Sequence, residues 1–119
     1  MVGTDRIRTL ALALPEAVER DHHGRPSFRV GGRIFATVWD EGHVNVMLEE
    51  SGILTAAQSR PDACAEFWWG KRLGAVQVDL AHADEALAAA LLADAWEHKA
   101  PASLRRNRTW PTRPPAGTA

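Results

Sequence analysis

A run of short β-forming segments joined by tight turns limits the fold more than any other feature of this chain. SFRV (27–30) leads into Gly31-Gly32, RIFATVW (33–39) follows, Asp40-Glu41-Gly42 turns the chain, and HVNVML (43–48) comes next. A Gly-Gly pair between β-formers predicts a two-residue hairpin turn, because both central residues can take positive φ. Three consecutive strands joined by short turns make an antiparallel meander. In the third, Val44, Val46 and Leu48 alternate with Asn45 and Met47, so one face of that strand is expected in the core.

Helical patterns flank the meander. Thr4 or Asp5 can cap a first helix whose Ile7, Leu10, Ala11 and Leu14 fall at i, i+3, i+4 and i+7, and Pro15 stops it. EAVERDHHGRP (16–26) then reads as a polar, turn-rich connection. After the meander, Glu49-Glu50 opens a helix to about Arg60, ended by Pro61-Asp62. A second hairpin follows: AEFWW (65–69), a GKRLG loop (70–74), and AVQVDL (75–80) with Val76, Val78 and Leu80 on one side. Asp84 or His82 then starts a long helix to about Lys99, with an apolar stripe of Ala86, Leu87, Ala90, Leu91 and Ala95. The order αβββαββα predicts one α+β domain over residues 1–104, an antiparallel sheet of about five strands with helices on one face. Residues 105–119, RRNRTWPTRPPAGTA, form a basic Pro/Arg-rich tail expected to be flexible.

Charge narrows the function. The chain holds 14 basic and 15 acidic residues, a net charge of −1. Four of the basic residues (Arg105, Arg106, Arg108 and Arg113) follow Ala100, where there is no acid, so the body carries ten basic against fifteen acidic residues, a net of −5. Sequence-independent binding to nucleic acid comes from cationic contacts to phosphates. A body at −5 must therefore use a local patch or the tail. The single cysteine, Cys64, cannot form an internal disulfide and reads as a small buried hydrophobe, which suits a reducing cytoplasm. No apolar run approaches the ~20 residues that span a bilayer, and no secretory leader pattern opens the chain. A cytoplasmic protein without a membrane partner is expected.

His22-His23 beside Asp21 invites a metal, but neighbouring side chains rarely aim at one ion and no ligand spacing recurs nearby, so no metal and no cofactor is expected. The acid pairs Asp40-Glu41, Glu49-Glu50 and Asp84-Glu85 lie at a turn and two helix starts rather than in a cleft. No nucleophile elbow, phosphate loop or dinucleotide motif is present, so no catalytic residue is nominated and an enzyme is not expected. Trp68 and Trp69 are adjacent on a strand and point to opposite faces, one expected in the core and the other outward beside Lys71 and Arg72. With a two-residue turn at Gly31-Gly32, Val30 faces Arg33 and Arg29 faces Ile34. Phe28, Val30, Phe35 and Trp39 then share one face, and Ser27, Arg29, Ile34, Ala36 and Val38 the other. Arg29 and Arg33 thus fall near a hairpin end, as solvated charges or as phosphate contacts.

HGRPSFRVGGRIFATV, after a helix ending LPEAVE, resembles the MmcQ/YjbR family of small bacterial proteins. FWWGKRLGAVQVDL and AALLADAWEHKAPASLRR fit the same pattern, so the resemblance runs from about Asp5 to Arg106. It implies a CyaY/frataxin-like "double wing" α+β fold and DNA binding, with the two hairpins as wings. Carried over by position, it nominates Arg25, Arg29 and Arg33 on the first wing and Lys71 and Arg72 on the second; Arg105, Arg106 and Arg108 of the tail would add affinity. The frataxin likeness would bring iron only with an acidic ridge on the first helix, and this helix offers Asp5 alone, with Glu16 and Glu19 beyond Pro15. The expected function is non-enzymatic DNA binding through phosphate contacts. The alternative is a module that binds a protein or small ligand through the Trp68/Trp69 region.

Overall fold

A computed structural model describes residues 1–106 of the 119; Arg108 and the remainder of the tail lie outside the described residues. The elements are α1 (Thr4–Leu12), β1 (Val18–His22), β2 (Arg25–Val30), β3 (Arg33–Asp40), β4 (His43–Val46), α2 (Glu50–Ser59), β5 (Cys64–Trp69), β6 (Arg72–Asp79), α3 (Glu85–Lys99) and α4 (Ala102–Arg106). The six strands form one antiparallel sheet in the order β1-β2-β3-β4-β6-β5. The architecture is α+β, with one strand more than the sequence predicts and one more short helix, α4, which includes Arg105 and Arg106 from the segment read as tail.

The extra strand is β1, inside the segment read as a polar connection. It pairs with β2 from Val18↔Arg29 to His22↔Arg25. The hairpin escapes the sequence because its turn is His23-Gly24, with φ of 54° and 83°. Such turns favour Asn, Asp or Gly at the first position, and β1 is an edge strand with little apolar content. The GKRLG loop also shortens: β6 begins at Arg72, and only Gly70-Lys71 turns the chain.

Helix starts and faces differ in detail. α1 begins after Gly3 rather than a side-chain cap, because buried Val2 donates its N–H to the Leu80 carbonyl at 3.0 Å and pins the chain there. α3 is capped by Asp84, whose side chain accepts from the Leu87 N–H at 2.8 Å. Its buried face is Ala88, Leu91, Leu92, Ala95 and Trp96, while Ala86 and Ala90 are exposed. In an alanine-rich helix the apolar pattern surrounds most of the circumference, and the bulkiest side chain decides which way it turns. That side chain is Trp96, fully buried, with Nε1 donating to the Pro15 carbonyl at 2.8 Å.

α3 packs over β3 and β4, α2 over β5 and β6, and α1 against α3. Val44, Val46 and Val78 meet Ile7, Leu91 and Leu92 between these layers. Phe28, Val30, Phe35 and Ile53 are fully buried in the same core. Burying side chains of this size contributes about 1.5–3 kcal/mol each, and this layer is the main apolar support of the sheet. Among the described residues no helix is long and apolar enough to cross a membrane.

Replacing Trp96 by Phe keeps a ring but leaves the partly buried Pro15 carbonyl without its donor. The expected loss is about 1–3 kcal/mol, read as a lower urea midpoint with an unchanged slope. A loss below about 0.5 kcal/mol, the range of ordinary surface substitutions, would show that the Trp96–Pro15 bond is not an anchor.

Candidate functional site

The sheet has a cationic end and an acidic end. β3 and β6 are both antiparallel to β4 and so run the same way, placing their first residues, Arg33 and Arg72, at the same end. Pro101, just after α3, is seated against the Gly31 turn: a Cβ on Gly31 would lie 2.8 Å from its Cγ and Cδ. This delivers Lys99 to the same end. Burial pushes the Lys99 ammonium below the usual lysine range, and the charges of Arg33 and Arg72 push it further. His98 is lowered first by burial, then by Lys99; Glu49 opposes the shift and Arg33 adds to it. None of Arg33, Arg72 and Lys99 takes part in an ion pair between described residues. Lys71 is exposed at the adjacent turn, and α4 leaves from Pro101 with Arg105 and Arg106 in its last turn.

Carboxylates occupy the opposite end, where Asp40, Asp62, Asp79 and Asp84 gather around strand ends and the start of α3. Asp40 and Asp79 hold histidine partners, His43 and His82, each at 2.8 Å, and these hydrogen bonds lower both carboxyls below the usual range. A near-neutral chain is therefore electrically lopsided in space as well as along the sequence.

Arg25 starts β2 at the opposite end, beside Trp39, whereas Arg29 lies one residue from the Gly31-Gly32 turn and turns to the open face. Arg29 faces Ile34 as predicted, but β3 carries an extra residue there: Arg29 pairs with Ile34 and Phe28 with Ala36, leaving Phe35 as a bulge. Parity reverses beyond it. Ala36 and Val38, opposite Val46 and Val44, therefore turn to the helices, and Trp39 turns to the open face, contrary to the expected grouping. Arg25 stacks there, its guanidinium carbon 4.1 Å from the Trp39 ring centroid and its Nε donating to the Trp39 carbonyl at 2.8 Å. Arg29 Nε donates to Ser27 Oγ at 3.4 Å.

The open face carries an aromatic row. Trp39, Phe67 and Trp69 meet edge to face with centroids 5.0 and 4.9 Å apart. Beside the row is a cavity of about 300 Å³ lined by His22, His23, Arg25, Ile34, Thr37, Trp39, Asn45, Met47 and Trp69. Asn45 is fully buried in it. Its Oδ1 accepts from Gln77 Nε2 at 3.0 Å, while its Nδ2 has no partner. A buried donor left unsatisfied costs about 1–3 kcal/mol, so an acceptor arriving in the cavity would recover a bond the fold forgoes. A larger groove of about 640 Å³ between α2 and α3 carries mixed charges, among them Glu49, Asp94, Arg60 and Arg105.

Other sequence-nominated residues are dispersed. Neither tryptophan of the pair is core: Trp68 is 51% and Trp69 44% exposed. They lie near the end of edge strand β5, where a register shift separates Phe67 from Trp68. Trp68 donates to Glu66 at 3.0 Å, and only Trp69 lines the cavity. His22 and His23 touch edge to face at 4.5 Å, and no cluster suited to a metal ion exists among the described residues. Cys64 is buried, which raises its thiol pKa. The sequence reading missed Lys99, Asn45 and Trp39. Lys99 was legible only as a last-turn cation suited to the helix dipole, and Asn45 only as the solvent-side residue of an alternating strand.

The YjbR family model matches residues 12–98. The crystal structure of Deinococcus radiodurans protein DR2400, which carries the family-model domain DUF419, is similar with a TM-score of 0.65 at 19% identity, over 78% of this chain and 75% of that one. At that identity the likeness is one of fold. No curated protein matches the sequence.

Trp69 reaches the row by lying over Gly74, where a Cβ would collide with its Cε3 and Cζ3. Gly74→Ala should swing the ring outward, collapse the near-ultraviolet circular dichroism of the row, and cost about 1 kcal/mol, the scale of an aromatic pair. An unchanged near-ultraviolet spectrum would show that the row does not depend on Gly74.

Proposed function

This chain belongs to the YjbR family, and we propose that it is a cytoplasmic, non-enzymatic protein that binds DNA by gripping phosphates at the cationic end of its sheet. The observation that carries this reading is the convergence of Arg33, Arg72 and Lys99 at one end of the sheet, none of them in an ion pair among the described residues. Like charges held together are costly, and a phosphate oxygen between them would turn repulsion into attraction. Lys71, exposed at the adjacent turn, would extend the grip along the backbone. The acidic opposite end would orient the protein on approach and disfavour other poses. Contacts of this kind position a protein on DNA without reading its bases.

Fluorescence anisotropy with labelled duplex DNA tests the reading. Four phosphate contacts, from Arg33, Lys71, Arg72 and Lys99, give a log–log salt slope of about −3 to −4. Arg33→Ala with Arg72→Ala should lower that slope by about 2 and weaken binding across all sequences, whereas Arg20→Ala should change neither. An unchanged slope in the double variant would remove the cationic end from the interface. The pH response has a definite sign. The Lys99 pKa is depressed in the free protein, and a bound polyanion raises it, so binding retains the proton and weakens as pH rises into the lysine range.

A second reading is favoured by the unpartnered Asn45 amide: the open face binds a small ligand beside Trp69. It is spatially separate from the phosphate grip, and the two can coexist.

A further inference from the structure

We infer that the open-face cavity takes a small flat aromatic carboxylate of one or two rings, held by the Asn45 amide and the Arg25 guanidinium between apolar walls. The inference rests on the reading of this face as a ligand site and adds the ligand's chemical class.

Four observations set that class. The unsatisfied group of Asn45 is its Nδ2 donor, whereas Oδ1 already accepts from Gln77, so a ligand that completes the site presents an acceptor. Arg25 lines the cavity with its guanidinium stacked on the Trp39 ring and its Nε donating to the Trp39 carbonyl. A planar fork of that kind matches a carboxylate. No carboxylate lines the cavity, whereas Arg25 and two histidines do. A cation would meet no counter-charge there, and Arg25 already stacks on the Trp39 ring that would attract one. Ile34, Met47 and Trp69 supply flat, apolar contact. Finally, about 300 Å³ is the lower limit of small-molecule sites, room for one or two rings rather than a dinucleotide.

The arrangement also divides the work between buried and exposed groups. Asn45 lies at the bottom of the site, fully buried, and Trp69 is the half-exposed wall. Entry of the ligand would satisfy the one and cover the other. The Trp39–Phe67–Trp69 contacts hold the walls in position before binding, which lowers the ordering entropy lost on association.

The test is titration of the full, isotopically labelled chain with 2-naphthoate, 2-naphthamide and 2-naphthylmethylamine, followed by amide and indole NMR shifts. The expected result is saturable binding of the carboxylate with shifts at the Asn45 side-chain NH2 and the Trp69 indole NH. The neutral amide should bind about tenfold more weakly, the difference of one charge-assisted contact, and the amine should not bind. Arg25→Gln should remove the preference for carboxylate over amide, and Trp69→Ala should weaken both. The comparison of the three probes on the unmodified protein stands even if a variant misfolds. Equal binding of the amide or the amine, at the same residues, would overturn the carboxylate class and leave a ligand site. Carboxylate shifts confined to Arg33, Arg72 and Lys99 would place the anion at the phosphate grip and overturn the inference. Binding by none of the three would remove the ligand site itself, without touching the DNA reading.

Discussion

The pairing of β4 with β6, through His43↔Asp79, Val44↔Val78, Asn45↔Gln77 and Val46↔Val76, joins a four-stranded meander to a separate hairpin. A single register serves several ends at once. It sets four valines on the helix side, and it places Asn45 beside Gln77 on the other. It also aligns the first residues of β3 and β6, so that the two glycine turns share an end. A slip of one residue would reverse every side chain of one strand, placing valines in the open and the amides in the core. The valine packing against Ile7, Leu91 and Leu92 opposes such a slip strongly, and both candidate surfaces inherit their geometry from it.

The two faces of the sheet follow different rules. The helix side is a packed apolar layer whose depth is set by Trp96 and its bond to Pro15. Among the described residues no helix lies over the open side. Its own long side chains, Trp39, Phe67 and Trp69, lie across the shorter Gly74 and Asn45 and shield them. A sheet face covered by its own aromatic rings is only partly closed, and this leaves a cavity with a buried polar floor. The bulge at Phe35 is the cause on the β3 side, since without it Trp39 would point into the helices.

Charge separation is a second consequence of antiparallel order. Strand ends alternate between the two ends of the sheet. Arg33 and Arg72 open strands at one end; Asp40 and Asp79 close the same strands at the other. Asp40 and Asp79 find histidine partners within three residues, whereas the cations are brought to one end from distant parts of the chain, where Arg33 and Arg72 both act on Lys99. These acids are satisfied locally, whereas Arg33, Arg72 and Lys99 take part in no ion pair among the described residues.

Legible from the sequence alone were the α+β class, the Gly31-Gly32 turn with Arg29 opposite Ile34, the valine faces of β4 and β6, and the extent of the long helix α3. Each of these is local: a two-residue turn, a period of two, or a capped run ended by proline. What failed was non-local. β1 was hidden by a His-Gly turn, the rotation of α3 by its uniform alanines, and the face of Trp39 by one bulged residue. The clustering of Lys99 with Arg33 and Arg72 spans most of the chain, and the lone Asn45 donor exists only because Gln77 and the aromatic row meet over it. Such features have no signature at fixed spacing, since they arise when strands far apart in sequence choose one register, and only the tertiary structure makes that choice.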